Sequence, residues 1–143
     1  MLEIYIKYFD DEIDKIEKIA KGDWIDLRSR KNLEFLEDSY FTIPLGVAMQ
    51  LPEGHEALLA PRSSAFKEYG IIMTNPPGVI DSSYNGDNDE WQLSCYAPRS
   101  GRIMKNERVA HFRIIENMEE VRFKEVDILG NEDRGGFGTT GTG

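Results

Sequence analysis

Cysteine is all but missing: Cys95 stands alone among 143 residues. One thiol allows no intrachain disulfide, which excludes a disulfide-stapled scaffold and suits a reducing cytoplasm. No stretch approaches the ~18 apolar residues of a membrane span. The first residues, Met1 to Lys7, meet acid at Asp10 before any apolar run long enough for a secretory signal. The expectation is a cytoplasmic chain with no membrane partner. No Cys/His cluster is present to hold a catalytic zinc, which argues against a zinc deaminase. No Gly-x-x-x-x-Gly-Lys-Ser/Thr loop is present either, which excludes a P-loop NTPase. Positive charge is scarce, with 17 Lys and Arg against 26 Asp and Glu and a net charge of −9. A surface so acidic repels polyanions, so no nucleic-acid partner is expected. A phosphate ligand would need cations and free amides gathered locally.

What remains is the makeup of one ordinary globular domain, 40% apolar and 30% charged, with no internal repeat. Strand-sized apolar and β-branched runs cover residues 2–9, 40–51, 56–60, 69–73, 91–97, 108–115 and 121–126. Turn chemistry separates them: Pro52-Glu-Gly, Asn75-Pro-Pro-Gly, Asn85-Gly-Asp-Asn-Asp and Arg99-Ser-Gly. Such spacing predicts an all-β sandwich, jelly roll or barrel. One segment departs from it. Ile13, Ile16 and Ile19 lie three apart, with acids before and lysines behind, which predicts a short surface helix over residues 11–20.

The last ten residues, from Arg134 to Gly143, include five glycines. They cannot bury enough surface to order themselves, and a frayed end is the plain expectation. They also carry Arg134, Phe137, Thr139 and Thr140 among amides that can approach a ligand closely. The chain thus divides into a domain over residues 1–133 and an arm over residues 134–143 that would order on binding.

Four further segments stand out. Gly22-Asp-Trp-Ile-Asp-Leu-Arg places Asp26 in a short apolar run. Pro61-Arg-Ser-Ser-Ala-Phe-Lys-Glu-Tyr-Gly is a loop with a cation and two hydroxyls, followed by a short amphipathic turn. Gly78-Val-Ile-Asp-Ser-Ser-Tyr-Asn-Gly reads as a hairpin carrying Asp81 and Tyr84. Asn106-Glu-Arg-Val-Ala-His-Phe-Arg-Ile is a turn entering a strand. In this order, and with the Gly136-Phe-Gly-Thr-Thr-Gly tail, they resemble the five motifs of the trimeric dUTP pyrophosphatase family, bacterial and phage-like members included. The resemblance runs from about Lys21 to Gly143.

That resemblance implies a distorted jelly-roll-like β-barrel subunit in a homotrimer, with active sites at subunit interfaces. The implied reaction is hydrolysis of dUTP to dUMP and pyrophosphate, with Mg²⁺ as cofactor and no covalent intermediate. Asp81 corresponds to the general base, drawing a proton from a water that attacks the α-phosphorus in line. Asn75, Gly78 and Ile80 lie where the family reads uracil, and Tyr84 lies where the sugar packs and a 2′-hydroxyl would clash. Ser63 corresponds to a contact with the phosphate chain, with Ser64 beside it in the same substrate-binding loop, and Arg62 corresponds to a residue that orients the base aspartate or a phosphate neighbour. Asp26 corresponds to the acid that holds Mg²⁺ through water. Arg134, Phe137, Gly138, Thr139 and Thr140 correspond to the arm that closes over base and phosphates.

The sequence departs from the family at three places. His111 stands where the family has Gln, and either donates to phosphate or packs at a subunit contact. Ser64 replaces a Gly. The spacing from Arg134 to Phe137 is short, which leaves Phe137 and Trp91 as rival candidates for the lid over the base. Arg108 fits the fourth motif either structurally or as a ligand contact. Cys95, in an apolar strand, reads as an inert buried thiol. Two other functions fit the same motifs. A dCTP deaminase of the same fold would use Glu90 as the nearest acid, and a nucleotide-switched regulatory protein would engage a protein partner.

Overall fold

The structure, a computed structural model, describes residues 1–137. Eleven short strands and one helix follow in chain order: β1 (Tyr5–Tyr8), β2 (Ile25–Arg28), β3 (Leu33–Phe35), β4 (Ser39–Pro44), β5 (Val47–Gln50), β6 (His55–Pro61), α1 (Ala65–Tyr69), β7 (Ile72–Met73), β8 (Gly78–Ile80), β9 (Gln92–Ala97), β10 (Gly101–Ile103) and β11 (Arg108–Glu116). All pairings are antiparallel. A four-stranded sheet β2-β11-β6-β8 and a three-stranded sheet β4-β9-β7 form the body, with β1-β5 and β3-β10 as two-stranded ribbons. This is the jelly-roll-like all-β fold expected, with one short helix, built from open sheets rather than closed into a barrel.

Alternation decides which face is buried. In β9, Leu93, Cys95 and Ala97 point inward while Gln92, Ser94 and Tyr96 remain accessible. Leu27, Leu59 and Phe112 come from the four-stranded sheet to meet Ile43 and Leu93 of the other. Trp91 is wholly buried, edge-on to Phe112 at 5.1 Å between ring centroids.

Two expectations fail for legible reasons. Residues 11–20 are not helical. Their amides bond side chains from elsewhere: Asp14 N–H donates to Asn106 Oδ1 at 2.8 Å, and Ile16 N–H donates to the Tyr8 hydroxyl at 3.0 Å. Ile13 is buried against the Gly46 turn, and the β-branched isoleucines gain nothing from a helix. The helix is instead α1, where an amphipathic turn was expected. It stops at Gly70, whose φ of 70° no branched side chain tolerates. Residues 121–126 form no strand either. Val121, Phe123 and Val126 are exposed, because a strand without an edge to pair with has nothing to hold it.

Candidate active site

The expected site residues fall into two groups at opposite ends of β6. The first group surrounds β8. Gly78 lies so close to β6 that an added Cβ would come within 2.9 Å of the Leu59 carbonyl oxygen and 2.6 Å of Met73 Cε. Glycine is required there by proximity, and β8 then delivers Ile80 and Asp81 to the sheet edge. The segment after Asp81 is a tight turn, not the expected hairpin, because β8 pairs with β6 and β9 pairs with β4 and β7.

In that turn the Ser83 N–H donates to Asp81 Oδ1 at 2.8 Å, and the Tyr84 N–H donates to the Asp81 carbonyl at 3.0 Å. The Ser83 amide, followed by its hydroxyl, holds the Asp81 carboxyl below the usual range. Asp81 is therefore an exposed carboxylate at neutral pH, able to accept a proton. Its neighbour Tyr84 donates its hydroxyl to the Glu90 carbonyl at 2.9 Å. Burial first, then Asp89 and Glu90, raise its phenol, so it stays protonated. Asp81, Tyr84, Ile80, Thr42 and Gln92 border a recess of about 510 Å³. Asn75 is exposed in the loop leading to β8.

The second group gathers on β2, β11 and the end of β6. Asp26 meets two guanidinium groups, Arg62 Nε at 3.5 Å and Arg108 Nη1 at 3.8 Å. His111 pairs with Asp26 in the β2–β11 register, and its ring lies 4.5 Å from that of Trp24. Burial pulls the imidazole below its ordinary pKa; Asp26 opposes that pull and Arg62 adds to it. Ser63 is exposed in the turn after β6, and Ser64 occupies the helix N-cap without a side-chain capping bond.

Strand geometry keeps the groups apart. Asp81 follows Ile80, which pairs with Ala57, whereas Arg62 follows Pro61 at the far end of the strand. Six residues of strand, at roughly 3.3 Å each, separate the two groups by about 20 Å. A base acting at a phosphorus must bring its water to about 3–3.5 Å. One chain therefore cannot place Asp81 and its own Arg62 on neighbouring phosphates of one nucleotide.

Among the described residues, no three His, Cys, Asp or Glu side chains form a metal-holding group. A half-exposed Asp26 between two guanidinium groups is no cage for a cation. It fits Mg²⁺ only through water, with a triphosphate supplying the inner oxygens.

Arg134 and Phe137 are solvent-exposed, while Gly138, Thr139 and Thr140 lie outside the described residues. The rival lid, Trp91, is excluded, because a side chain at 0% exposure beneath Phe112 cannot close over a ligand. Glu90 is no free acid for deamination. Its Oε2 accepts from Arg30 Nε at 2.7 Å and from Gly46 N–H at 2.8 Å, and its Oε1 accepts from Arg30 Nη2 at 2.9 Å. The sequence held one sign of this pairing, an acid entering an apolar strand next to Trp91, but nothing that named Arg30. Cys95 is buried as expected, and burial pushes its thiol up to about 12.

The fold and these groups define a nearly all-β protein whose candidate ligand-binding residues are divided between the two ends of one sheet. The family model described as dUTPase matches residues 22–143, and the chain belongs to that family. It is 51% identical over 141 residues to the SPbeta prophage-derived deoxyuridine 5′-triphosphate nucleotidohydrolase YosS of Bacillus subtilis (strain 168), covering 99% of each. It is 32% identical to a deoxyuridine 5′-triphosphate nucleotidohydrolase of Streptomyces coelicolor, over 98% of this chain and 78% of that one. Among solved structures, a Staphylococcus bacteriophage 80alpha dUTPase variant with dUpNHpp superimposes with a TM-score of 0.78 at 19% identity, covering 97% of this chain and 98% of that one. A variant dUTPase from phage phi11 of S. aureus, described as coordinating a structural Mg(II) ion, superimposes with a TM-score of 0.73 at 15% identity, covering 89% and 98%.

Proposed function

We propose that this chain hydrolyses dUTP to dUMP and pyrophosphate. The observation that carries the reading is the Asp81 turn, which presents an ionised carboxylate beside the Tyr84 recess. Asp81 takes a proton from a water whose oxygen attacks the α-phosphorus. The bond from that phosphorus to the bridging oxygen breaks, and pyrophosphate leaves opposite the entering water. Asn75 reads the uracil edge, Tyr84 packs on the deoxyribose, and Arg62, Ser63 and Arg134 meet the phosphates. With Trp91 buried, Phe137 is the residue that stacks on the base. Asp26 would hold Mg²⁺ through water, and the ion would supply the positive charge that disperses negative charge on the phosphates.

The complete site needs Asp81 from one copy and the Asp26–Arg62–His111 group from another, which supports a closed ring of copies such as a threefold trimer; the lone Cys95 suits a cytoplasmic setting. The exposed Met118, Val121, Phe123 and Ile128 after β11 supply apolar surface for contact between copies. A second, regulatory role finds support in the staphylococcal phage dUTPases, which are described as controlling transfer of virulence genes by a G protein-like mechanism. The deciding assay is pyrophosphate release from each dNTP and from UTP, with and without Mg²⁺. Release confined to dUTP supports the reading. Ammonia release from dCTP, or equal rates on every nucleotide, overturns it.

A further inference from the structure

We infer that the Arg30–Glu90 pair, its carboxylate buried and its guanidinium partly so, is a positioning device for sugar selection, acting through the Glu90 carbonyl on Tyr84. The inference rests on the dUTP reading above. Tyr84 sits in a turn tied down locally by only two backbone donors, Ser83 N–H and its own N–H, both bonded to Asp81. Tyr84 as a whole residue is 39% exposed, so packing alone does not fix the tilt of its ring. What reaches the far end of the ring is the hydroxyl bond to the Glu90 carbonyl at 2.9 Å.

That acceptor is held from several directions. The Glu90 side chain is gripped by both arms of the Arg30 guanidinium and by the Gly46 amide. Trp91, the next residue, donates its N–H to the Val47 carbonyl at 2.8 Å and accepts from Leu45 N–H at 2.9 Å. Arg30 is itself anchored by its N–H to the Pro44 carbonyl at 2.8 Å. The Gly46 turn has a φ of 74°, and an added Cβ would come within 2.5 Å of Ile13 Cδ1. A continuous path of bonds thus runs from the β4–β5 turn through Glu90 to the Tyr84 ring.

Between Tyr84 and Glu90 lies a turn of its own, Asn85-Gly-Asp-Asn-Asp, in which the Gly86 N–H donates to Asp89 Oδ2 at 2.8 Å and the Asp89 N–H to the Gly86 carbonyl at 3.1 Å; neither bond reaches the Glu90 carbonyl. Ion pairs contribute little net stability, whether they lie at the surface or are partly desolvated as here, so stability alone does not account for this one. Fixing an acceptor against which a selecting ring is aligned does. A ring held at one tilt excludes a 2′-hydroxyl, and a ring free to swing admits it.

The test compares kcat/KM for dUTP and UTP in the full-length protein, alongside its melting midpoint. Tyr84→Phe keeps the ring and removes the bond. Arg30→Lys keeps the charge and loses the two-pronged grip. Each should raise the UTP rate relative to dUTP by roughly three- to tenfold, the worth of one hydrogen bond. The double variant should go no further than the larger single effect, because both changes cut one path. The change in selectivity should not follow the melting midpoint. Where Arg30→Lys does not fold, Glu90→Gln, which keeps size and shape, takes its place. Native selectivity in Tyr84→Phe, or in a folded Arg30→Lys or Glu90→Gln variant, overturns the inference, as do strictly additive effects. A wild-type protein that releases no pyrophosphate from dUTP would instead strike down the underlying reading of the site.

Discussion

His111 lies directly across the β2–β11 ladder from Asp26, yet the carboxylate is met by Arg62 and Arg108 while the imidazole packs against Trp24. The histidine is thus placed as a half-buried neutral ring between an acid and a guanidinium. That placement has consequences for pH.

Burial lowers the His111 pKa below its ordinary 6.5. As pH falls past that value the unfolded chain binds the proton first, so native stability drops, levelling off below the native pKa. His111→Gln removes this loss. Chemical denaturation at pH 8 and pH 5 should show a larger acid penalty for the wild type than for the variant, and identical penalties would refute the burial argument. The variant should also keep turnover, since Gln occupies this position in the resembling family.

Replacing Asp81 with Asn keeps the turn's acceptor oxygen and removes the base. Nucleotide binding should persist while kcat falls by roughly 10²–10⁴. Binding titration and steady-state turnover on the same preparation check this. Near-native turnover would remove Asp81 from its role.

Trp91 separates packing from catalysis. As a core residue edge-on to Phe112, its replacement by Ala should cost about 3–5 kcal/mol of stability. Phe137→Ala should leave the melting midpoint in place and weaken turnover. The reverse pattern in a thermal melt and an activity assay would restore Trp91 as the lid.

Ending the chain at Asp133 removes five glycines, and the described part of what is lost, Arg134 to Phe137, is exposed. The protein should fold and assemble as before but lose most of its activity, since ordering the arm costs roughly 1–2 kcal/mol per residue and only ligand contacts can offset that. Full turnover by the truncated protein would make the arm a frayed end.

The roughly 20 Å between Asp81 and Arg62 along β6 is testable by mixing inactive chains. Asp81→Asn and Arg62→Ala proteins, unfolded together and refolded as one population, should regain about a quarter of native activity, because random assembly leaves that share of junctions intact. No recovery would place both residues in one chain's site.

Much of this was legible in the residues. The alternation in 91–97 and 108–115 found β9 and β11 to within a residue, because one face of each strand is buried and the period of two is clear. The Gly78-Val-Ile-Asp segment located β8 and the exposed carboxylate that follows it, though as a tight turn where a hairpin was expected. What escaped were short strands such as β3 and β10, whose three residues carry no period, and the segment over residues 11–20. There a helical spacing of isoleucines lost to long-range bonds from Tyr8 and Asn106. The Arg30–Glu90 pair, sixty positions apart, left no local signal at all.

The length of β6 also bears on stoichiometry. A chain that carries the two halves of a site too far apart to join them has one donor end and one acceptor end. Any open row of such chains leaves a half unused at each extremity, so two copies complete a single centre. Only when the row closes on itself does every chain contribute to two centres and the number of centres equal the number of chains. Ring closure is then a kinetic requirement as well as a structural one, and specific activity should rise with assembly more steeply than with the amount of folded protein.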